Sequence, residues 1–245
     1  MNDSGERMIP GRSASDIEEE HWARYRYASA FVPGKRTADI ACGTGYGARL
    51  LADAGAASVI GVDLDPEAVG YASECYSRPG VSFLEGSAED LSILESAQFD
   101  VVVSFETIEH LHGVKRYLEE IRRVLKPNGV FLVSTPDRRL ASVLFPFLRR
   151  PQNKFHVHEF TQRELVDLLE HDFVVHECLG QVPIHRFFAF WPVQLALKSI
   201  ARVFQRIGGG RLKSAVYGDS GGVEVKRIPS KAWIPKYWVV RCARK

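Results

Sequence analysis

A chain of 245 residues, 45% apolar and 25% charged, is long enough for one α/β domain with a decorated end and too short for two full domains. Its 32 basic and 30 acidic residues leave a formal charge of +2, so bulk electrostatics calls for neither nucleic acid nor an anionic membrane. Four cysteines at 42, 75, 178 and 242 form no CxxC pair, which argues against zinc and a disulfide framework and fits a reducing compartment.

Residues 1–14 are polar, lack the apolar core of a signal peptide and are expected to be flexible, and the expected compartment is the cytoplasm. Asp16, Glu18, Glu19 and Glu20 in the first turns predict a helix from Ser15 to Phe31, stopped by Pro33 and Gly34. Strands are predicted at Thr37 to Ala41, Ser58 to Asp63, Val81 to Leu84, Asp100 to Phe105 and Val130 to Ser134. Helices at Tyr46 to Ala54, Pro66 to Tyr76 and Val114 to Leu125 alternate with them, which predicts a doubly wound, mostly parallel α/β sheet.

Thr161 with Glu164 forms a capping-box pattern opening a helix that ends near His171, and a strand from Phe173 to Cys178 follows. The core is therefore expected over 15–180 with its N-terminal cap helix, and the sheet closes in 237–245 with a strand at Trp238 to Arg241. Residues 181–236 read as an insertion or lid, apolar and basic from His185 to Ile207 and glycine-rich from Gly208 to Gly222. Its most apolar run, Phe187 to Leu197, is about half the length needed to span a bilayer and contains Pro192, so no transmembrane helix is predicted. Arg138, Arg139, Arg149, Arg150, Lys198, Arg202, Arg206, Arg211 and Lys213 offer contacts to phosphates of an RNA, a nucleotide-sugar or a lipid-linked glycan; Lys198, Arg202 and Arg206 recur every four residues, a basic face that suits peripheral membrane contact through 185–207 or a solvated lid.

The run TADIACGTGYG, Thr37 to Gly47, followed by VIGVDLD, Val59 to Asp65, describes a nucleoside site. Gly43, Gly45 and Gly47 admit a ligand close to the backbone. Asp63, ending the second strand, is placed to accept hydrogen bonds from two ribose hydroxyls. A dinucleotide fingerprint reads GxGxxG whereas this run reads AxGxGxG, so pyrophosphate is not the expected ligand.

The run resembles motif I of class I S-adenosylmethionine (SAM)-dependent methyltransferases, an acidic residue followed by GxGxG, and the resemblance extends through most of the chain. It implies a Rossmann-like fold with a seven-stranded sheet, SAM as cofactor and methyl transfer as activity. Ala41 stands where the first glycine is usual, so a negative φ is expected there, which alanine accepts without strain. Asp39 either bonds the methionine ammonium or orients the turn, and Leu64 packs on the adenine or in the core. Residues Gly86 to Leu91 resemble the family's adenine-binding stretch, with Ser87, Ala88 and Glu89 as its contacts; Glu89 reads equally well as a helix-start carboxylate. Ser104, near the end of the fourth strand, completes the cofactor set.

In SFETIEHLH, Ser104 to His112, the residues Glu106, Glu109 and His110 stand at i, i+3 and i+4, one face of a helix. Two carboxylates and an imidazole are poor core material and suit Mg²⁺ or another hard divalent cation. With STP at Ser134 to Pro136 and HVHEFT at His156 to Thr161, the pattern resembles small-RNA terminal 2'-O-methyltransferases and, more loosely, O-methyltransferases of ubiquinone synthesis. The former resemblance implies metal ligands at Glu106, Glu109, His110 and His156, although His158 also precedes the EFT segment. Without a metal, His110 is the general base and Glu109 orients it.

The helix segment HWARYRY, His21 to Tyr27, offers His21, Arg24 and Tyr25 to an acceptor, alongside His158, or docks as an aromatic stripe on the core. With NKFHVHEF it resembles bacterial methyltransferases associated with surface glycans, which implies a saccharide acceptor. The expected function is O-methylation of a saccharide or small polyol. RNA ribose methylation is the alternative enzyme reading, disfavoured by the near-neutral charge, and a SAM-binding scaffold without turnover is the third. The sequence leaves the oligomeric state open.

Overall fold

The structure, a computed structural model, describes residues 8–11, 15–141, 151, 153–189 and 223–245. Strands β1 (Arg36–Ile40), β2 (Ser58–Asp63), β3 (Val81–Glu85), β4 (Phe99–Phe105), β5 (Leu125–Pro136), β6 (Phe173–His185) and β7 (Trp233–Arg244) join in one sheet ordered β3-β2-β1-β4-β5-β7-β6. The first five pair in parallel, and β7 enters antiparallel between β5 and β6. β1 and β4 are buried along nearly their whole length because both of their faces are covered, as a central parallel strand requires; in β1 that includes the polar Thr37 and Asp39.

Two apolar layers sandwich the sheet. Ile40, Val102, Val133 and Trp238 face one, with α4 (Val114–Val124) and α6 (Gln162–Leu169) over them; Val59, Val101, Val103 and Val239 face the other, with α1 (Ser15–Ala28) and α2 (Tyr46–Asp53) over those. Asp65 caps α3 (Pro66–Tyr76) by accepting from the Glu67 amide at 2.9 Å with Pro66 at the first helical position, and Thr161 and Glu164 form the expected capping box on α6.

Three expectations are corrected. The first α-helix ends at Ala28, three residues short of the expected Phe31, and gives way to a 3-10 turn, Ser29–Phe31. Met8 and Ile9, expected to be flexible, are buried, and the Met8 carbonyl accepts from the Thr44 hydroxyl at 3.2 Å. β6 and β7 are far longer than expected, so 181–185 and 233–236 belong to the sheet and not to an insertion. Pro183 faces Pro235 in that pair; Pro183 lies on the edge strand, and Pro235 lies beyond Tyr237, where the pairing of β7 with β5 ends. Arg149, Arg150, Lys198, Arg202, Arg206, Arg211 and Lys213, and most of the 185–207 segment read for membrane contact, lie outside the described residues. No described helix is long and apolar enough to cross a membrane.

Candidate active site

The carboxyl ends of β1, β2 and β4 open onto a cleft of about 390 Å³, the place where an open α/β sheet takes its ligands. Ala41, Cys42, Gly43 and Asp63 form its floor, Met8, His21, Tyr25 and Tyr46 one wall, and Phe105, Glu106, His110 and Phe155 the other. Asp63 ties the two strand ends together: its Oδ2 accepts from the Gly43 amide at 2.7 Å and its Oδ1 from the Asp65 amide at 3.1 Å. Gly45 adopts φ +83°, and a Cβ there would lie 2.6 Å from the Ala72 methyl carbon, so the turn accepts only glycine.

Ala41 contradicts the expected negative φ, since it sits at +59° in the left-handed region. Alanine therefore occupies a conformation glycine would hold without strain, because the neighbouring bonds of Cys42 to Val62 and Gly43 to Asp63 fix the turn.

Asp39 is buried and orients the turn. Both of its oxygens accept from the Tyr25 hydroxyl at 3.1 Å, and the Ala48 amide at the start of α2 bonds it as well. Burial raises its pKa to about 7, opposed by the Tyr25 hydrogen bond and reinforced by Asp63. Tyr25 is thus held inward, and its ring lies so close over Gly47 that a Cβ there would be 2.0 Å away. The expectation that Tyr25 faces an acceptor is corrected to this supporting role, although its ring still lines the cleft.

Arg24 is also redirected. It is 0% exposed, donates to Gln181 Oε1 at 2.7 Å, and lies 4.5 Å above the Tyr237 ring, so it fastens α1 to β6 and β7 and does not face an acceptor. Burial works against its charge, but Glu106 and neighbouring groups hold its pKa above the ordinary value. His21 remains in the cleft wall with Nδ1 2.8 Å from the Tyr46 hydroxyl; burial, with Arg24 and Lys236 nearby, holds it neutral.

Of the residues assigned to adenine, Leu64 is 70% exposed beside the cleft floor, which removes the core reading. Ala88 packs in the core. Ser87 Oγ accepts from the Glu89 amide, and Glu89 accepts from the amide of Gly113, the residue capping α4, so this carboxylate serves a helix start on another segment. Ser104 is fully buried and donates to the Ile40 carbonyl, joining β4 to β1 and not reaching a ligand.

The helical face expected for Glu106, Glu109 and His110 does not form. Glu106 takes φ +53°, and only Ile108–His110 make a 3-10 turn. The hydroxyls of Ser134 and Thr135 seat the two carboxylates, at 2.7 Å from Glu106 and 3.0 Å from Glu109. Ser134 and Thr135 are consecutive on β5, so Glu106 and Glu109 take separate seats while the Glu106 charge still acts on Glu109. Glu109, His110 and His156 nevertheless converge, each with a ligand-capable atom within 4.8 Å of the others, and neither Glu106 nor His158 belongs to that group. His158 is exposed and contributes its backbone amide to the Glu109 carbonyl.

The two imidazoles are set by their acceptors. His110 Nδ1 is 3.0 Å from the Phe155 carbonyl and His156 Nδ1 is 3.0 Å from Glu159 Oε1. A carbonyl can only accept, so Nδ1 of His110 is the donor in that contact. Glu109 is 1% exposed; burial, then the Glu106 charge, raises its pKa well above the carboxylate range. Sequence reasoning missed Met8, Tyr46, Phe105 and Phe155 as cleft residues. Only Tyr46 and Phe105 carried a signal, their places just after the glycine run and at the end of a central strand.

This strand order, with a carboxylate ending β2 and a glycine turn after β1, defines a class I methyltransferase fold. Residues 38–133 match the family described as "Methyltransferase domain". A probable SAM-dependent methyltransferase of Mycolicibacterium smegmatis is 40% identical over 183 residues, covering 72% of this chain and 67% of that protein. A second of that description, from Mycobacterium tuberculosis, is 38% identical over 170 residues, 68% of this chain and 58% of its own length. A ubiquinone biosynthesis O-methyltransferase of Paraburkholderia phymatum is 37% identical over 118 residues, 47% of this chain and 50% of that protein. Among solved structures, a SAM-dependent methyltransferase from Mesorhizobium loti superposes with TM-score 0.62 at 17% identity, over 92% of this chain and 98% of that one. The chain belongs to the class I SAM-dependent methyltransferase family, and it spans 67% of the length of the Mycolicibacterium smegmatis relative and 58% of that of the Mycobacterium tuberculosis one.

Proposed function

We propose that the chain transfers the methyl group of SAM to a hydroxyl oxygen of a saccharide or other small polyol. The observation that carries this reading is His110, which lines the donor cleft and also belongs to the Glu109 and His156 group. In the transfer, the acceptor oxygen forms a bond to the methyl carbon as the carbon–sulfur bond breaks and its electron pair returns to sulfur. The hydroxyl proton passes to His110 Nε2, leaving S-adenosylhomocysteine and a methyl ether. Asp63 accepts from the ribose hydroxyls, Leu64 covers the adenine, and the cleft aligns sulfur, methyl and oxygen, which supplies much of the acceleration. Oxygen as the methylated atom is supported by the relatives named O-methyltransferases. Phe105 and Phe155 beside Glu106 and His110 match a ring that is apolar on its faces and hydroxylated at its rim.

The test is incubation with methyl-labelled SAM and pools of saccharides, followed by mass spectrometry of the products. His110→Gln should lose about 100-fold or more in turnover while still binding S-adenosylhomocysteine. A methyl found on carbon or nitrogen would overturn the assignment.

A second feature favours a divalent cation held by Glu109, His110 and His156. One carboxylate and two imidazoles suit Mg²⁺, Mn²⁺ or Fe²⁺, and both rings have the Nδ1 contact that commonly orients a ligating histidine. When bound, such a cation would lower the pKa of the acceptor hydroxyl, and His110, holding it through Nε2, would then be a ligand and not the base. Activity abolished by EDTA and restored by Mn²⁺ supports the cation; activity unchanged by EDTA leaves the His110 base alone.

A further inference from the structure

A second cleft, of about 640 Å³, opens over the β6–β7 edge of the sheet. Strand order puts β7 two steps and β6 three steps from β4, a sideways offset of roughly 10–15 Å at strand spacing. Arg139, Arg186, Arg227, Lys231 and His176 line it, and Trp233 contributes an aromatic face. Glu177, the one acidic residue lining it, is engaged by the Tyr27 hydroxyl and by Arg241, each at 3.2 Å. Arg139 is braced by two bonds to the buried Asp137, which leaves Nη1 outside that pair. Arg186 donates to the Lys231 carbonyl. Among the described residues Arg186, Arg227 and Lys231 form no ion pair. In a chain of net charge +2, four guanidinium or ammonium groups around one cleft are a local excess that does not follow from composition.

We propose that this cleft binds a phosphoryl group, as phosphate, diphosphate or the phosphate of a sugar. Arginine forks and a lysine ammonium match phosphate oxygens, and Trp233 is placed to cover an attached ring. The binding claim stands apart from the methyl-transfer reading, and only the choice between a phosphorylated acceptor and a free phosphate rests on it.

Inorganic pyrophosphate titrated into the full chain, followed by tryptophan fluorescence and calorimetry, is the direct test. Binding is expected to weaken with added salt, to fall about tenfold for each cation removed in Arg227→Ala and Lys231→Ala, and to persist in Lys115→Ala, an exposed control on α4. S-adenosylhomocysteine binding should be the same in all three variants, which separates this site from the donor cleft. In steady-state methylation of a sugar and its phosphate, a KM raised about tenfold with unchanged kcat for the phosphorylated acceptor alone, in Arg227→Ala, assigns the phosphoryl group to the acceptor. Equal KM values with pyrophosphate binding still lost assign it to free phosphate. No pyrophosphate binding, affinity unchanged in both variants, or displacement of S-adenosylhomocysteine by pyrophosphate would overturn the proposal.

Discussion

Asp39→Asn should change how stability depends on pH. The Asp39 pKa is raised from 3.8 to about 7, chiefly by burial. Between those values an unfolded chain has released this proton while the native chain retains it, so the native state binds more protons and stability falls as pH rises. A gap of about 3 units corresponds to on the order of 4 kcal/mol, lost between about pH 4 and 7 and constant above. The asparagine cannot ionise, keeps one oxygen to accept from Tyr25 or from the Ala48 amide, and carries no such slope. Urea unfolding of both proteins from pH 4.5 to 8.5 reads the difference directly, with the variant gaining on the wild type as pH rises. A difference that is flat with pH, or that grows towards acid, would refute the reasoning. If the donor's ammonium lies beside Asp39, S-adenosylhomocysteine should bind the wild type more tightly as pH climbs through the same window, and the variant should not respond.

Ala41→Gly removes left-handed strain of roughly 1–2 kcal/mol and adds backbone entropy costing roughly 0.5–1 kcal/mol. The net gain of about 0.5–1 kcal/mol should raise Tm by about 1–4 °C, while Ala41→Val should lower it; a lower Tm for the glycine variant contradicts the assigned conformation. Gly47→Ala drives a methyl into the Tyr25 ring and should destabilise by about 1–3 kcal/mol, with weaker S-adenosylhomocysteine binding as α1 shifts, both measurable in one calorimetric series. Gln181→Leu takes from the buried Arg24 its hydrogen-bond acceptor on β6 and should cost about 3 kcal/mol; denaturant midpoints equal to wild type would show that the cation–π contact with Tyr237 suffices.

What the sequence revealed depended on how local each signal was. The bounds of β2 and α3 were legible to the residue because Asp65 and Pro66 stop the strand and start the helix by their own side-chain chemistry. The same locality made the glycine turn and Asp63 readable. β6 and β7 ran longer than Gly180, Pro183 and Pro235 imply, since pairing along the whole antiparallel ladder overrides those breakers and no nearby residue announces it. The spacing of Glu106, Glu109 and His110 pointed to the right neighbourhood by the wrong geometry. A helical count assumes continuous turns, whereas left-handed Glu106 sends its carboxylate to Ser134 while Glu109 goes to Thr135. The bond between Tyr25 and Asp39 crosses from helix to strand, and no spacing rule of either element covers it.

The wall that α1 gives the donor cleft is anchored by the strand made last among the sheet's members. Lys236 grips Glu20 across 216 positions of chain, and Tyr237 lies under Arg24. At translation speeds of about 5–20 residues per second, the helix waits roughly 10–40 seconds on the ribosome for that anchor. The apolar underside of α1 is exposed for all of that delay and the open margin of β5 joins it once residues 125–136 have been made, a nascent surface of the kind chaperones hold. Slow codons before residue 233 would lengthen its exposure without altering a single contact in the finished molecule.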